Sequence, residues 1–252
     1  QLFDHRPQAM VEAAIKAEAA GAFLIDINMG CPVKKIARKG GGSGLLKDPE
    51  LAERIVTKVA NSIKIPITVK IRLGWDKNIT LGSENFALRM QNAGAQLLTI
   101  HGRTRSQGFA GKADWDAICE VKKALSIPVI ANGDVQNIDD AFQCLSKTKA
   151  DGLMIGRGSM GAPWIVGQID CALKGKQPFP TPNPRQRVSL ALEHLQELVS
   201  LKGDHGLLIA RKHMNWTCIG FPEATKLRHS LVRAETPIEA IDLLKKQLRA
   251  LS

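Results

Sequence analysis

The stretch Ala22-Phe23-Leu24-Ile25-Asp26-Ile27-Asn28-Met29-Gly30-Cys31-Pro32 carries an apolar run directly into a short segment that contains a cysteine. A short, nearly continuous apolar run is typical of a buried strand in a parallel sheet, which predicts a strand over 22–28. Pro32 ends the strand because it has no backbone N–H, and Gly30 allows the chain to turn. Cys31 therefore lies where a strand gives way to a loop, a position from which a thiol can face a cleft.

Four further apolar runs predict strands at 65–71, 96–101, 127–132 and 152–156. Helical patterns separate them, and caps mark their starts: Asp48 before Pro49, Ser83 before 84–93, Asp114 before 115–124 and Asn137 before 138–146, after a first helix over 6–20. This alternation is typical of a doubly wound sheet or a (β/α)8 barrel. Polar residues follow strand after strand, which favours an α/β fold of the (β/α)8 TIM barrel type.

A barrel has eight strands, whereas this chain offers five runs and a possible short strand at 1–3. The first residue is Gln rather than Met. We therefore expect the chain to be truncated, with the N-terminal strands of the barrel, roughly two strand–helix units, missing.

The alternation stops near residue 175. A proline at every second position predicts a stiff, extended linker over 177–184. Helical spacing follows, with predicted helices at 185–202, about 206–219, 223–233 and 237–251. We expect a barrel domain over 1–176 and a small all-α helical domain over 185–252.

The composition indicates a basic globular protein. The formal net charge of +11 attracts polyanions, nucleic acids among them. The basic residues follow the first three predicted strands, so parallel strands crowd them on one rim: Lys34, Lys35, Arg38 and Lys39, then Lys70 and Arg72, then Arg103 and Arg105.

The five cysteines are widely spaced and include no C-x-x-C pair, so they indicate neither a zinc site nor a disulfide framework. No apolar run approaches the length of a membrane span. We expect a cytoplasmic monomer that needs no metal and no membrane.

Three residues at predicted strand ends can carry chemistry. Taken alone, Cys31 is about twice as often a buried apolar residue as a catalytic one. Lys70 needs an anionic or electron-rich partner if it points into a barrel, and either a flavin edge or a Schiff base meets that need. His101 lies on the next strand and adds a donor at neutral pH, although a lone histidine is more often structural.

Two glycine-containing turns follow the last predicted strands. Asn132, Gly133 and Asp134 follow one strand, and Gly156 and Arg157 follow the next. Barrels often bind phosphate with their last loops, where backbone N–H groups and an arginine can reach the phosphate oxygens. Tight turns without a ligand explain the same glycines about equally well.

Six motifs in this order resemble the tRNA-dihydrouridine synthases: Asn28-Met29-Gly30-Cys31-Pro32, Gly42-Ser43-Gly44-Leu45-Leu46, Lys70-Ile71-Arg72, Ile100-His101-Gly102-Arg103, Ala131-Asn132-Gly133-Asp134 and Met154-Ile155-Gly156-Arg157. Ile209-Ala210-Arg211-Lys212-His213 and Trp216 are most similar to the bacterial B-type subfamily. The resemblance covers essentially the whole chain.

The resemblance implies an FMN-containing barrel, a helical tRNA-binding domain, and reduction of the C5–C6 bond of tRNA uridines with NADPH, or NADH, as reductant. It makes Cys31 the proton donor to C5. The implied cofactor contacts are Gln1, Lys70, His101, Asn132, Gly133, Asp134, Gly156 and Arg157. The implied substrate contacts are Asn28, Arg72, Arg103, Lys34, Lys35, Arg211 and Lys212, because extruding a uridine from tRNA needs base and phosphate contacts.

Two alternatives remain open from the sequence. One is another flavin barrel such as a dihydroorotate dehydrogenase, which gives no reason for a basic helical segment over 185–252. The other is a non-catalytic RNA-binding protein in which truncation has abolished flavin binding. Flavin colour in the purified protein separates the enzymes from the second alternative.

Overall fold

The computed structural model describes residues 1–77 and 84–251, and the predicted cap Ser83 lies outside them. Within that range the strands are β1 Ile25–Met29, β2 Ile67–Arg72, β3 Leu97–His101, β4 Val129–Asn132 and β5 Gly152–Met154. They form one parallel sheet in the order β1-β2-β3-β4-β5. A doubly wound sheet reverses its strand order at a switch point, whereas a barrel adds each strand on the same side. The sequential order therefore agrees with the predicted TIM barrel.

The segment at 1–3 joins this sheet through a single parallel bridge between Leu2 and Ile27. The N–H of Leu2 donates to the carbonyl of Asp26 over 2.8 Å, and the N–H of Asn28 donates to the carbonyl of Leu2 over 2.9 Å. Gln1 is thereby held beside β1.

The first strand begins later than predicted. The N–H of Ala22 bonds to the carbonyl of Ala17 and so closes the end of the preceding helix. Phe23 is 86% exposed, and the first ladder bond runs from the N–H of Ile25 to the carbonyl of Pro66. Hydrophobicity alone placed the start at residue 22, but backbone pairing begins at Ile25.

The helices between the strands are α1 Pro7–Ala19, α2 Lys34–Arg38, α3 Pro49–Ala60, α4 Glu84–Asn92, α5 Trp115–Lys123 and α6 Ile138–Thr148, with a 3-10 helix over Gly42–Lys47. Two predicted caps are present. The Asp48 carboxylate accepts from the N–H of Leu51 over 3.0 Å, and that of Asp114 accepts from the N–H of Ala117 over 2.9 Å.

One face of the sheet is apolar. Successive side chains of a strand point to opposite faces, so alternate residues form a continuous buried layer. Its members are Ile25, Ile27, Met29, Ile67, Val69, Ile71, Leu98, Ile100, Val129 and Ala131. Burial of each large side chain stabilises the fold by about 1.5–3 kcal/mol. The opposite face is left for polar residues.

The chain divides into two compact units, Gln1–Val135 with Asp139–Gly156, and Gln136–Ile138 with Arg157–Ser252. The second unit contains a short 3-10 helix over Arg157–Ser159 and helices α7 Trp164–Leu173, α8 Pro184–Lys202, α9 His205–Thr217, α10 Ala224–Arg233 and α11 Pro237–Ala250. Its core is built from Val188, Ala191, Leu195, Leu207, Ala210, Met214, Leu227, Leu231, Ala240 and Leu244.

The division between the units falls earlier than the predicted proline-rich linker. The linker packs on α7, because the Gln168 side-chain amide donates to the carbonyl of Phe179 over 2.9 Å. The assignment of 1–176 and 185–252 to separate functional domains stays a prediction. In the described part of the chain, no helix combines the length and the apolar character needed to cross a membrane.

We predict that Asp48→Ala lowers the free energy of unfolding by about 1 kcal/mol, because the N–H of Leu51 loses its acceptor. Urea denaturation measures this loss. Asp48→Asn keeps a side-chain acceptor at the same position and serves as the control, with a loss below about 0.5 kcal/mol. Equal losses in the two variants contradict the capping role.

Candidate active site

The second face of the sheet carries polar side chains at registered positions of neighbouring strands. Asn28 of β1 pairs with Lys70 of β2, and His101 of β3 pairs with Asn132 of β4. Parallel strands bring their carboxyl ends to one edge, which is where barrel enzymes carry their sites. We call this face of the sheet the polar face, and its polar members are Asp26, Asn28, Thr68, Lys70, Arg72, Thr99, His101 and Asn132.

The backbone of Cys31 is held on both sides at the end of β1. Its N–H donates to the Asn28 side-chain oxygen over 2.9 Å, and the same oxygen accepts from the N–H of Gly30 over 3.0 Å. The carbonyl of Cys31 accepts from the N–H of Ser43 over 3.1 Å and from its hydroxyl over 2.7 Å. The thiol itself is half-buried on this fixed backbone.

The glycines of the Gly42-Ser43-Gly44 segment allow it to approach the Cys31 loop. Gly42 has a φ of +54°, and a Cβ at this position would come within 2.9 Å of the Cβ of Cys31. A Cβ on Gly44 would come within 2.5 Å of the carbonyl oxygen of Ala37. A side chain at either position would push the segment away, so the spacing of these glycines is a packing requirement.

The other cysteines are not residues of the polar face. Cys144 and Cys218 are fully buried, and burial raises the pKa of each thiol to about 12. Cys119 and Cys171 are half-buried within helices α5 and α7. Across residues 1–77 and 84–251, no group of three or more His, Cys, Asp or Glu side chains is arranged to hold a metal ion.

Lys70 is a cation of the polar face, as is Arg72. Its ammonium group donates to the Asn132 side-chain oxygen over 3.1 Å, and Asn132 in turn donates to the carbonyl of Met154 over 2.8 Å. Burial, together with the charge of Arg72, lowers the pKa of Lys70 to about 8, against the opposing effect of Asp26. An ammonium has three N–H donors, and Asn132 is its one hydrogen-bond partner in the described residues. The remaining donors suit an anionic or carbonyl group on this face.

A buried arginine lies beside His101. Arg103, 2% exposed, pairs with Asp134 over 2.7 Å and donates to the carbonyls of Ala110 and Gly111. Its guanidinium also lies 3.5 Å from Nε2 of His101.

The Arg72 side chain is likewise buried and hydrogen-bonded to backbone carbonyls. It is 3% exposed, and its guanidinium donates to the carbonyls of Gly30, Thr104 and Gly108 over 2.8, 3.1 and 2.8 Å. Thus β2 carries a side chain that ties the Cys31 loop to the loop after β3.

Arg72 and Arg103 are predicted substrate contacts, but in this structure their side chains are buried and do not form an exposed rim. Each side chain instead satisfies carbonyl oxygens of loops that fold back over the strand ends. Such oxygens are costly to bury without a donor, so the arginines brace the loops. Arg105, another residue of the expected rim, lies over the Trp75 ring at 4.3 Å.

The Gly133 turn serves packing as well. Gly133 has a φ of +124°, and an added Cβ would lie 2.9 Å from Ala113 and 3.1 Å from the His101 ring. The Asp134 carboxylate accepts from the N–H of Ala113 over 2.7 Å as well as from Arg103. Asp134 therefore holds the turn. Its negative charge is unsuited to direct contact with a phosphate.

The other predicted site residues lie at several places in the two units. The side-chain oxygen of Gln1 accepts from the Asn28 amide over 2.8 Å. A Cβ on Gly156 would meet nothing within 4 Å, so there is open space at the end of the first unit. Arg157 begins the main segment of the second unit, and its role in phosphate binding stays a prediction.

The predicted lysine contacts are exposed. Lys34 and Lys35 lie on α2, and Lys35 borders a cleft of about 420 Å³. In the second unit Lys212 is exposed, whereas Arg211 donates to the carbonyl of Ala234 over 2.8 Å, just past the end of α10. Arg211 thus has a structural contact in addition to its predicted role.

Sequence reasoning missed the side chains that position the predicted ones. Ser43 lies in a recognised motif, but its contact with Cys31 depends on tertiary structure. Asp26 carried an available signal, because it alternates with Asn28 in Ile25-Asp26-Ile27-Asn28 and therefore shares its face of the strand.

The fold and the candidate site together define an α/β barrel protein in which the Cys31 loop is fixed at the carboxyl edge of the strands. The whole chain, residues 1–252, matches the sequence model of the family described as Dihydrouridine synthase (Dus). The chain belongs to the dihydrouridine synthase family.

Two relatives illustrate the match. The chain is 50% identical over 248 residues to the "Probable tRNA-dihydrouridine synthase 1" of Synechocystis sp., covering 98% of this chain and 70% of the relative. It is 40% identical over 252 residues to the "tRNA-dihydrouridine synthase B" of Xanthomonas axonopodis pv. citri, covering 100% and 76%. The predicted resemblance to the B-type subfamily is confirmed.

A solved structure shares the fold alone. A putative mandelate racemase/muconate lactonizing enzyme from Labrenzia alexandrii matches with a TM-score of 0.50 and 17% identity, over 74% of this chain and 46% of that one.

We predict that Lys70→Met flattens the pH dependence of stability. The pKa of Lys70 in the folded chain, about 8, lies below the unfolded value of 10.5, so between these values the unfolded chain binds more protons. Lys70 therefore makes the free energy of unfolding rise with pH across this window, by up to about 3 kcal/mol. Urea denaturation at a series of pH values measures the rise. Lys58→Met, at an exposed lysine, is the control and keeps the rise of the free energy of unfolding with pH. The same rise in Lys70→Met contradicts the role of Lys70.

We also predict that Gly42→Ala destabilises the Cys31 loop. Gly108→Ala is the matched control, because Gly108 has a similar φ of +58° and nothing within 4 Å of an added Cβ. Both variants incur backbone strain, but only Gly42→Ala meets Cys31, so it loses about 1–2 kcal/mol more stability. Its Cys31 thiol also reacts faster with a thiol reagent. Equal stability and reactivity in the two variants contradict the packing role.

Proposed function

We propose that this chain reduces uridine in tRNA to 5,6-dihydrouridine, with FMN as cofactor, NADPH or NADH as reductant and Cys31 as proton donor. The observation that carries the proposal is the fixed backbone of Cys31 at the carboxyl end of β1, beside the face that presents Lys70. Family membership and the names of the relatives support tRNA uridine as the substrate.

The polar face fits a flavin. A flavin presents carbonyl and ring-nitrogen acceptors, and this face supplies donors: the remaining N–H groups of Lys70 and the amide of Gln1. His101 is a further proposed cofactor contact. The positive charge of Lys70 complements the negative charge that a reduced flavin carries at its N1 and C2-carbonyl edge. Asn132 orients Lys70, and Gly156 and Arg157 are the proposed phosphate contacts.

The chemistry divides between the cofactor and the chain. When bound, reduced FMN supplies a hydride to C6 of the uracil. Cys31 supplies the proton: its S–H bond breaks as the C5–H bond forms, and the resulting thiolate regains a proton from water. Loss of the C5–C6 double bond accounts for the two added hydrogens. Because the backbone of Cys31 is fixed, only its side-chain torsion needs to adjust to present the proton.

Asn28 is the proposed uracil contact. Its side-chain oxygen already accepts two backbone N–H groups, and one amide hydrogen donates to Gln1. The second amide hydrogen can donate to a uracil carbonyl, so a single side chain orients both the proton donor and the base.

The basic surface supports an RNA substrate. A uracil stacked in folded RNA must be extruded before its C5–C6 bond can be reached. Affinity for such a substrate comes largely from phosphates, and exposed Lys34, Lys35 and Lys212 are the proposed contacts. Arg72 and Arg103 stay predicted substrate contacts, and their guanidinium groups also donate to buried backbone carbonyls.

The test of the proposal uses purified protein, FMN, NADPH and tRNA that lacks dihydrouridine. We predict that Cys31→Ala retains the flavin absorbance while dihydrouridine formation falls by about 10²-fold or more, because the proton donor is lost. Mass spectrometry of digested tRNA measures the product. Cys119→Ala, a free and half-buried cysteine of the same unit, is the control and keeps wild-type turnover.

Unchanged turnover in Cys31→Ala contradicts the assignment of the proton donor. A colourless wild-type protein that cannot be loaded with FMN, yet still shifts tRNA on a gel, contradicts the enzymatic proposal and favours an RNA-binding protein.

A further inference from the structure

A continuous series of side-chain hydrogen bonds lies along the polar face below Cys31. The Thr68 hydroxyl donates to Oδ1 of Asp26 over 2.7 Å, and Nε2 of Gln1 donates to Oδ2 of Asp26 over 2.5 Å. Nδ2 of Asn28 then donates to Oε1 of Gln1 over 2.8 Å. The last link is the Asn28 side-chain oxygen, which accepts from the N–H of Cys31.

The direction of every bond in this series is determined by its two ends. At one end a carboxylate can only accept, and at the other a backbone N–H can only donate. The two amides between them must therefore both turn their NH₂ groups toward Asp26 and their oxygens toward Cys31. Reversing either amide would set two donors or two acceptors against each other.

We propose that Asp26 is a positioning residue, which sets the amide orientations of Gln1 and Asn28 and thereby holds the N–H of Cys31. The catalytic consequence rests on the proposed function of Cys31. The hydrogen-bond series itself is a property of the first unit alone, and it can be measured without substrate or cofactor.

A role for Asp26 as the ion-pair partner of Lys70 fits the structure less well. Lys70 hydrogen-bonds to Asn132, and in the described residues both carboxylate oxygens of Asp26 are occupied by Gln1 and Thr68. Its strongest contacts are therefore those of the series.

The test exchanges the amide and the carboxylate that meet in the hydrogen bond between Gln1 and Asp26. In Asp26→Ala, Gln1 loses its acceptor, and in Gln1→Glu two carboxylates face each other. Asp26→Asn alone does not break the series, because its amide can accept from Gln1 while it donates to the Thr68 hydroxyl. In the double variant Asp26→Asn/Gln1→Glu the complementarity returns, because the new amide donates to Glu at position 1, which still accepts from Asn28. Restoration by a second substitution is not expected from simple loss of packing.

The readout is backbone amide hydrogen exchange at Gly30 and Cys31, followed by NMR without cofactor or tRNA. We expect exchange about tenfold faster in Asp26→Ala and in Gln1→Glu, the effect of roughly one lost hydrogen bond, and recovery to within about threefold of wild type in the double variant. Asp151→Asn, at an acid whose bonds are to Lys122 and Val129, is the control and leaves these amides unchanged.

Unchanged exchange in Asp26→Ala, or a double variant as fast as the single ones, overturns the proposal. If Asp26→Ala does not fold, Gln1→Ala breaks the same series at an exposed residue, and unchanged exchange at Cys31 then overturns it. The turnover number for dihydrouridine formation is measured in parallel. Restored exchange without turnover in any variant supports the positioning role and contradicts the proposed function instead.

Discussion

The backbone of Cys31 is held by the Asn28 side chain at its N–H and by Ser43 at its carbonyl, and much of the surrounding structure serves these bonds. Gly42 must lack a side chain for Ser43 to come close enough. Arg72 ties the adjacent carbonyl of Gly30 to the neighbouring strand. The cysteine loop is therefore fixed from β1, from β2 and from the 3-10 helix over Gly42–Lys47. Loss of any of these contacts would leave a polar group unpaired, which lowers the free energy of unfolding.

The charges of the first unit divide between structural and available groups. Arg72 and Arg103 lie buried against carbonyl oxygens, and Arg103 also neutralises Asp134. Lys70 differs, because its single hydrogen-bond partner in the described chain is the neutral Asn132 and its pKa is lowered by burial. A ligand that accepts hydrogen bonds or carries negative charge would offset the free-energy cost of burying the Lys70 charge. For this reason Lys70, rather than either arginine, is the proposed flavin contact.

Sequence patterns were sufficient for the five strands, most of the longer helices and the position of Cys31. They did not predict α2, α7 or the 3-10 helix over Gly42–Lys47, nor the partners of the charged residues. Asp48 and Asp114 could be recognised as caps because capping is local. The choice between a doubly wound sheet and a barrel needed the strand order, which is a tertiary property. Likewise, Arg72 and Arg103 looked like rim residues because the sequence does not tell which loops fold back over a strand end. Asp26 was the exception, since strand alternation already placed it on the face of Asn28.

The central claim is that Cys31 supplies the proton to C5, and separating the two half-reactions tests it most directly. Flavin bound to the Cys31→Ala variant is first reduced with NADPH, and tRNA lacking dihydrouridine is then added while the flavin absorbance is followed. The account predicts that reduction by NADPH proceeds as in the wild type, while reoxidation by tRNA slows by about 10²-fold or more. Reoxidation at the wild-type rate, with dihydrouridine formed, would contradict it.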